Sequence, residues 1–220
     1  MKKLYSLTRV LLLSLFVLLF SVPAFGQYYF EKNKIQYTDF GWEVLTTDHF
    51  SVYFYPEEKE IAEIAANYAE ESYRFLEGKF NHHIQKKLPL VIYSSPNYFE
   101  QTNVIPTLLP ENVGGFTEFF KGRMVIPFDG SYFRFLKVIR HELVHAFTMQ
   151  KLPYVMKAHG SYNFSGLPLW FEEGLAEHWA GEWDSEGDMM MRDLIISGKF
   201  IKLEEIYEIS GSYLMYKIGE

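Results

Sequence analysis

The chain contains no cysteine. Disulfides are excluded, so an exported form has to be held by its core or by a metal. The same absence excludes lipid anchoring through a cysteine at an export cleavage site. Basic residues are in deficit, 21 Lys and Arg against 28 Asp and Glu, for a formal net charge of −7. Such a chain lacks the phosphate-neutralising charge on which nucleic-acid binding rests. Long apolar runs are scarce too. VLLLSLFVLLF, residues 10–20, has 11 residues, short of the roughly 20 needed to span a bilayer as a helix. No internal repeat or low-complexity tract is visible.

What is present is globular in character. Hydrophobic residues make up 48% and aromatics 18% of the 220 residues, enough for one medium domain or two small lobes. The amino terminus reads as an export signal. MKKLYSLTR is basic, the short apolar run follows, and Ala24 and Gly26 occupy the −3 and −1 positions of a cleavage site before Gln27. The reading predicts a leader over residues 1–26 and a mature domain from 27 to 220 with no membrane span. Loss of Lys2, Lys3 and Arg9 would make that domain more acidic. The expected location is the periplasm, the outer membrane surface or the exterior.

Trp42 to Pro56 is aromatic and β-branched, and reads as one or two strands. Glu57 to Phe80 has the apolar spacing of a long amphipathic helix. LPLVIYSS reads as a short buried strand. Gly114 to Phe128 reads as two strands about a turn near Lys121-Gly122. A helix is expected from about Ser131 until just before Pro153, then a loop to Gly166. LPLWFEEGLAEHWAG, with Pro168 in its first turn and Gly181 at its end, reads as the next helix. Two further helical patterns follow Asp184. The sequence stops in YLMYKIGE with no terminating signal, which suggests a piece of a longer protein.

The chemistry centres on HELVH. His141 and His145, four apart on a helix, project from one face a turn apart and can both reach one tetrahedral zinc. Glu142 is turned about 100° from His141, so it can reach a water on the metal without being a ligand. Leu136, Ile139, Leu143 and Phe147 form the opposite, packing face. A catalytic zinc needs a third protein ligand and an open position. WFEEGLAEHW offers Glu173 and, one turn on, Glu177. One carboxylate of such a pair can bind metal while the other orients a ligand histidine.

HELVH followed by WFEEGLA resembles the gluzincin metallopeptidases, in which HExxH precedes W-[FL]-x-E-G-x-A. The resemblance implies that Glu173, before Gly174, is the third zinc ligand and that Glu177 is the acid behind a ligand histidine, longer than the Asp many relatives carry. The helix register separates the neighbouring acids: Glu173 shares its face with Trp170 and Glu177, while Phe171, Leu175 and Trp179 define a packing face and Glu172 points elsewhere. Most of residues 28–220 is similar to the amino-terminal peptidase-like module of large exported bacterial proteins that continue into a Tol-type β-propeller. Gluzincins often use a tyrosine in a Y-x-x-G setting as oxyanion donor. Tyr216 to Gly219 resembles it, with Tyr213 nearby.

The expected architecture is α+β and zincin-like: a small twisted sheet, an active-site helix and a helical lobe carrying Glu173. The implied activity is zinc-dependent hydrolysis of peptide or protein substrates with Glu142 as general base. The rival readings are a zinc-holding scaffold serving a propeller and a hydrolase of non-peptide amides. GGFTE, Gly114 to Glu118, is a candidate cleft-edge strand able to pair with an extended peptide. Glu118 is expected to face solvent. His49, His82, His83 and His178 are expected to be structural or exposed, not ligands.

Overall fold

Two aromatic strands begin the fold, β1 (Glu43–Thr46) and β2 (Phe50–Phe54), paired antiparallel across a three-residue turn. The Phe50 N–H donates to the Thr47 hydroxyl at 3.1 Å, which fixes that turn. In the computed structural model the described residues are 36–220, except 107, 110–112, 161–165, 200, 203–204, 207–208 and 210. The leader expected over residues 1–26 lies outside them. No described helix is long and apolar enough to cross a membrane.

A single 3-10 turn at Pro56–Glu58 leads into α1 (Lys59–Phe80), which returns the chain to β3 (Leu88–Tyr93), parallel to β2. Ala62, Ala65, Ala66 and Ala69 form the buried stripe of α1, with Tyr73 and Leu76 further along. Small side chains at that spacing let the helix lie close to the sheet. The chain leaves α1 through Asn81, whose φ of 45° is left-handed.

After a one-turn helix, α2 (Pro96–Phe99), come β4 (Phe116–Thr117) and β5 (Met124–Pro127). They are antiparallel to each other, and β5 is parallel to β3. The sheet order is β1-β2-β3-β5-β4, three parallel strands with an antiparallel strand at each edge. Gly122 provides the positive φ of 63° in the expected turn.

One face of the sheet presents Phe50, Val52, Leu90, Ile92, Met124 and Ile126 to α1 and to α3 (Tyr132–Ala158). A smaller cluster, Phe40, Tyr55, Tyr93, Phe99 and Val125, covers the other face. Among the described residues three longer helices follow: α4 (Leu169–Ala180), α5 (Ser185–Ile196) and α6 (Tyr213–Gly219). α4 packs on α3, and α6 on α4. The class is α+β with a mixed sheet.

Three expectations need correction. α3 does not stop before Pro153 but continues to Ala158. Proline removes one N–H to the carbonyl four residues back. Here that carbonyl belongs to Met149, beyond the buried stretch 142–148, where water can serve it. Phe135, not Leu136, is the buried residue in the first turn of α3, and Phe171 on α4 is exposed rather than packed.

Candidate metal centre

α3 is the central element because its middle is buried on all sides. Residues 142–148 are all buried. Ser131 caps its start by accepting the Arg134 N–H. Ile139, Leu143 and Phe147 pack into the main core, which directs His141, Glu142 and His145 away from it. α4 crosses this polar face and supplies the acids.

Nε2 of His141 lies 3.2 Å from Oε2 of Glu173 and 3.2 Å from Nε2 of His145, and the third side, His145 Nε2 to Glu173 Oε2, is 3.5 Å. Donors about 2.0–2.1 Å from a tetrahedral ion stand about 3.3 Å apart. The three atoms are therefore close enough together to share one metal ion. The donor chemistry, two imidazoles and a carboxylate, suits zinc.

The outer nitrogens of both histidines also meet carboxylates. His141 Nδ1 lies 3.3 Å from Glu177 Oε1. The other oxygen of Glu177 is 2.8 Å from Lys137 Nζ and 3.5 Å from Lys217 Nζ. Lys217 is fully buried on α6 and also pairs with Asp184 at 3.0 Å and Glu220 at 2.8 Å. His145 Nδ1 faces Glu172 Oε1 at 3.7 Å. Glu172 is thus not a donor to the metal position, yet it stands behind the second histidine as Glu177 stands behind the first. Sequence reading missed this role. The available signal was the five-residue separation of Glu172 and Glu177, which lets one helix flank two histidines a turn apart.

The electrostatics follow from this crowding. Burial by itself lowers the affinity of His141 for a proton, but Glu173 and Glu177 outweigh it and raise the pKa to about 9. Burial likewise opposes His145, and Glu172 with Glu173 raise it to about 10. Glu173 and Glu177 are held down at about 2, against the effect of burial, Glu173 by the two histidines and Glu177 by His141 and Lys137. Glu142, Glu172, Glu173 and Glu177 outnumber the two lysines here, which favours protons on the histidines and would favour a dication in their place.

Glu142 is buried beside this group. The Thr117 hydroxyl, on edge strand β4, lies 2.9 Å from both Oε2 and the main-chain carbonyl of Glu142. The strand that ends the sheet is therefore tied directly to the carboxylate next to the metal position. Burial raises the Tyr216 phenol, as do the charges of Glu173, Glu177 and Glu142. It stays protonated at neutral pH and able to donate. Tyr213, its neighbour, donates to Asp184 at 3.0 Å and is thereby committed elsewhere.

A comparison with known proteins matches this chain to no family model and to no curated protein.

The remaining candidates separate from the centre. Glu118 does not face solvent, as expected, but is buried. It accepts the Phe120 and Lys121 N–H groups and pairs with Arg123 Nε at 2.9 Å, closing the β4–β5 turn. His49 stacks on Tyr73 and bonds Glu70 through Nδ1 at 2.8 Å. His83 pairs with Glu77, and His178 is exposed on the far side of α4.

Proposed function

We propose that this chain is an exported zinc metallopeptidase of the gluzincin type, with a zincin-like fold. The observation that carries the reading is the 3.2, 3.2 and 3.5 Å triangle of donor atoms beside a buried glutamate that is not part of it. A site built only to hold a metal has no use for that glutamate, so its presence favours hydrolysis over scaffolding.

His141, His145 and Glu173 would hold the zinc, with Glu177 and Glu172 orienting the two imidazoles. Bound zinc supplies a Lewis acid that polarises the scissile carbonyl and makes water acidic near neutral pH. Glu142 takes the proton of the attacking water and passes it to the leaving amine. Thr117 holds Glu142 in place for both transfers. Tyr216 donates a hydrogen bond to the oxyanion. β4, at the sheet edge, pairs with the substrate main chain.

The test is metal analysis and cleavage of a peptide library by the mature chain and by Glu142→Gln. The expected result is one zinc in each, with cleavage by Glu142→Gln reduced about 10²–10⁴-fold. Equal rates would overturn the mechanism, and zinc with no cleavage of any peptide would favour the scaffold.

A further inference from the structure

A groove of about 390 Å³ lies along α3 beyond the metal position. Its floor includes Leu88, Ala146 and Met149, and Phe119 and Phe120 form a wall. Two relations connect it to the centre. Glu142, Ala146, Met149 and Gln150 follow helical spacing, so the floor continues the stripe on which Glu142 stands. At 1.5 Å per residue, the floor begins about 6 Å from Glu142 and ends about 12 Å away. The wall continues β4, whose Thr117 holds Glu142.

The lining combines exposed aromatics with cations. Phe119 is 72% and Phe120 92% exposed, two adjacent aromatics open to water at one turn. Lys86 and Lys121 stand on the rim, and among the described residues neither ammonium has an ion-pair partner. Lys87, also on the rim, is engaged with the Thr47 carbonyl. Unpaired cations beside exposed aromatics, in a chain of formal charge −7, mark a place where an anionic apolar ligand is complementary. A concave groove in line with a strand edge suits an extended chain better than a bilayer surface.

We propose that this groove binds an acidic segment of the substrate that carries a large apolar side chain, about two to four residues from the bond cleaved. The proposal rests on the peptidase reading for its role, but binding does not require catalysis. The aromatic wall takes the apolar side chain. Lys86 and Lys121 take the flanking carboxylates, and specificity comes chiefly from excluding basic sequences.

Fluorescence anisotropy with two labelled peptides tests it. Both carry a central leucine, flanked by aspartates in one and lysines in the other. They are titrated into Glu142→Gln protein, with zinc and with chelator, and into the same protein carrying Lys86→Glu and Lys121→Glu. The acidic peptide is expected to bind at least about tenfold tighter, with or without zinc, and the charge reversals to invert the preference. Phe120→Ser should weaken the acidic peptide several-fold. Lys86, Lys121 and Phe120 are exposed, so unchanged melting temperatures on their substitution are the control on folding. Equal binding of the two peptides, or a preference that survives both reversals, overturns the proposal. So does binding to phosphatidylglycerol vesicles without peptide preference, which would assign the patch to a membrane surface. An acidic preference in a chain that cleaves nothing would preserve the groove while the peptidase reading failed.

Discussion

α3 has two kinds of neighbour. Toward the sheet and α1, Ile139, Leu143 and Phe147 pack into the main apolar cluster, and Phe147 packs against Tyr73 and Phe80. Toward α4 and α6 the same helix meets charge: Glu172, Glu173 and Glu177 against two histidines, with Lys137 and Lys217 behind. The first contact needs nothing from solution. The second adds ionic contacts to the apolar packing of Ala176, Leu175 and Trp179, so part of its strength depends on pH and metal. One side fixes the helix, and the other carries the candidate metal ligands.

The sharpest break of this contrast pairs one substitution on each side. Phe147→Ala should destabilise the chain by about 3–5 kcal/mol, and by the same amount with or without zinc. Glu173→Ala should already cost the chelated protein the interactions of that carboxylate with both histidines. It should abolish the stabilisation that zinc gives, about 4 kcal/mol at a thousandfold excess over Kd. Thermal melts of both variants, with zinc and with chelator, read the two effects. Zinc-dependent loss in Phe147→Ala would mean that the two sides are not separate.

Next is the support behind the ligands. Glu177→Gln should weaken zinc binding about 10–100-fold, because it loses both the partner of His141 and the anchor of two lysines. Glu172→Gln should cost less, since Glu172 stands 3.7 Å from its histidine. Competition with a fluorescent chelator ranks them, and the reverse order would overturn the assignment.

pH separates the two sides without mutation. The two histidines have pKa values raised from 6.5 to about 9 and about 10, so their stabilising interactions are complete below pH 6.5 and are lost as pH rises through those values. Glu173 and Glu177 are lowered from 4.5 to about 2, so theirs is complete above pH 4.5 and is lost as pH falls. Chelated protein should therefore melt highest between about pH 4.5 and 6.5. Zinc must displace the imidazole protons, so its added stabilisation should grow as pH rises. Above pH 6.5 the chelated protein should lose melting temperature while the zinc-loaded protein stays nearly level, so the two curves should diverge.

The smallest expected effect is at Thr117. Thr117→Val should lower kcat about tenfold through loss of a hydrogen bond to a charged group, with zinc content unchanged and Thr117→Ser restoring most of the rate. No change in kcat would remove β4 from the mechanism.

Much of this site was legible in the sequence because it is local. Two histidines four apart on a helix share a face whatever surrounds them, and the glutamate before Gly174 was separated from its neighbour by the family resemblance together with helix register. Elements with a strong period or a clear stop, α1, β3 and α4, were readable for the same reason. What could not be read depends on contacts between distant segments. Glu118 looked like a surface acid because its partner Arg123 lies across a turn. Glu172 acquired its role only through the angle at which α4 crosses α3. Pro153 would stop a helix in a core, but α3 has left the core by then. Thr117 gave no sign of its bond to Glu142, 25 residues away.

Gly174 of α4 and Gly219 of α6 lie so close that a Cβ on either would overlap the backbone of the other helix. The consequence is one of order in folding. α6 cannot seat until α4 has formed, and α4 has to be on α3 before its acids meet the histidines. The donors join residues 32 apart in sequence, and the closing helix is further still. Contacts between distant segments form slowly. Metal uptake during refolding should therefore wait for α4 to dock on α3, while the seating of α6 over Gly174 is a later step that the donors do not require.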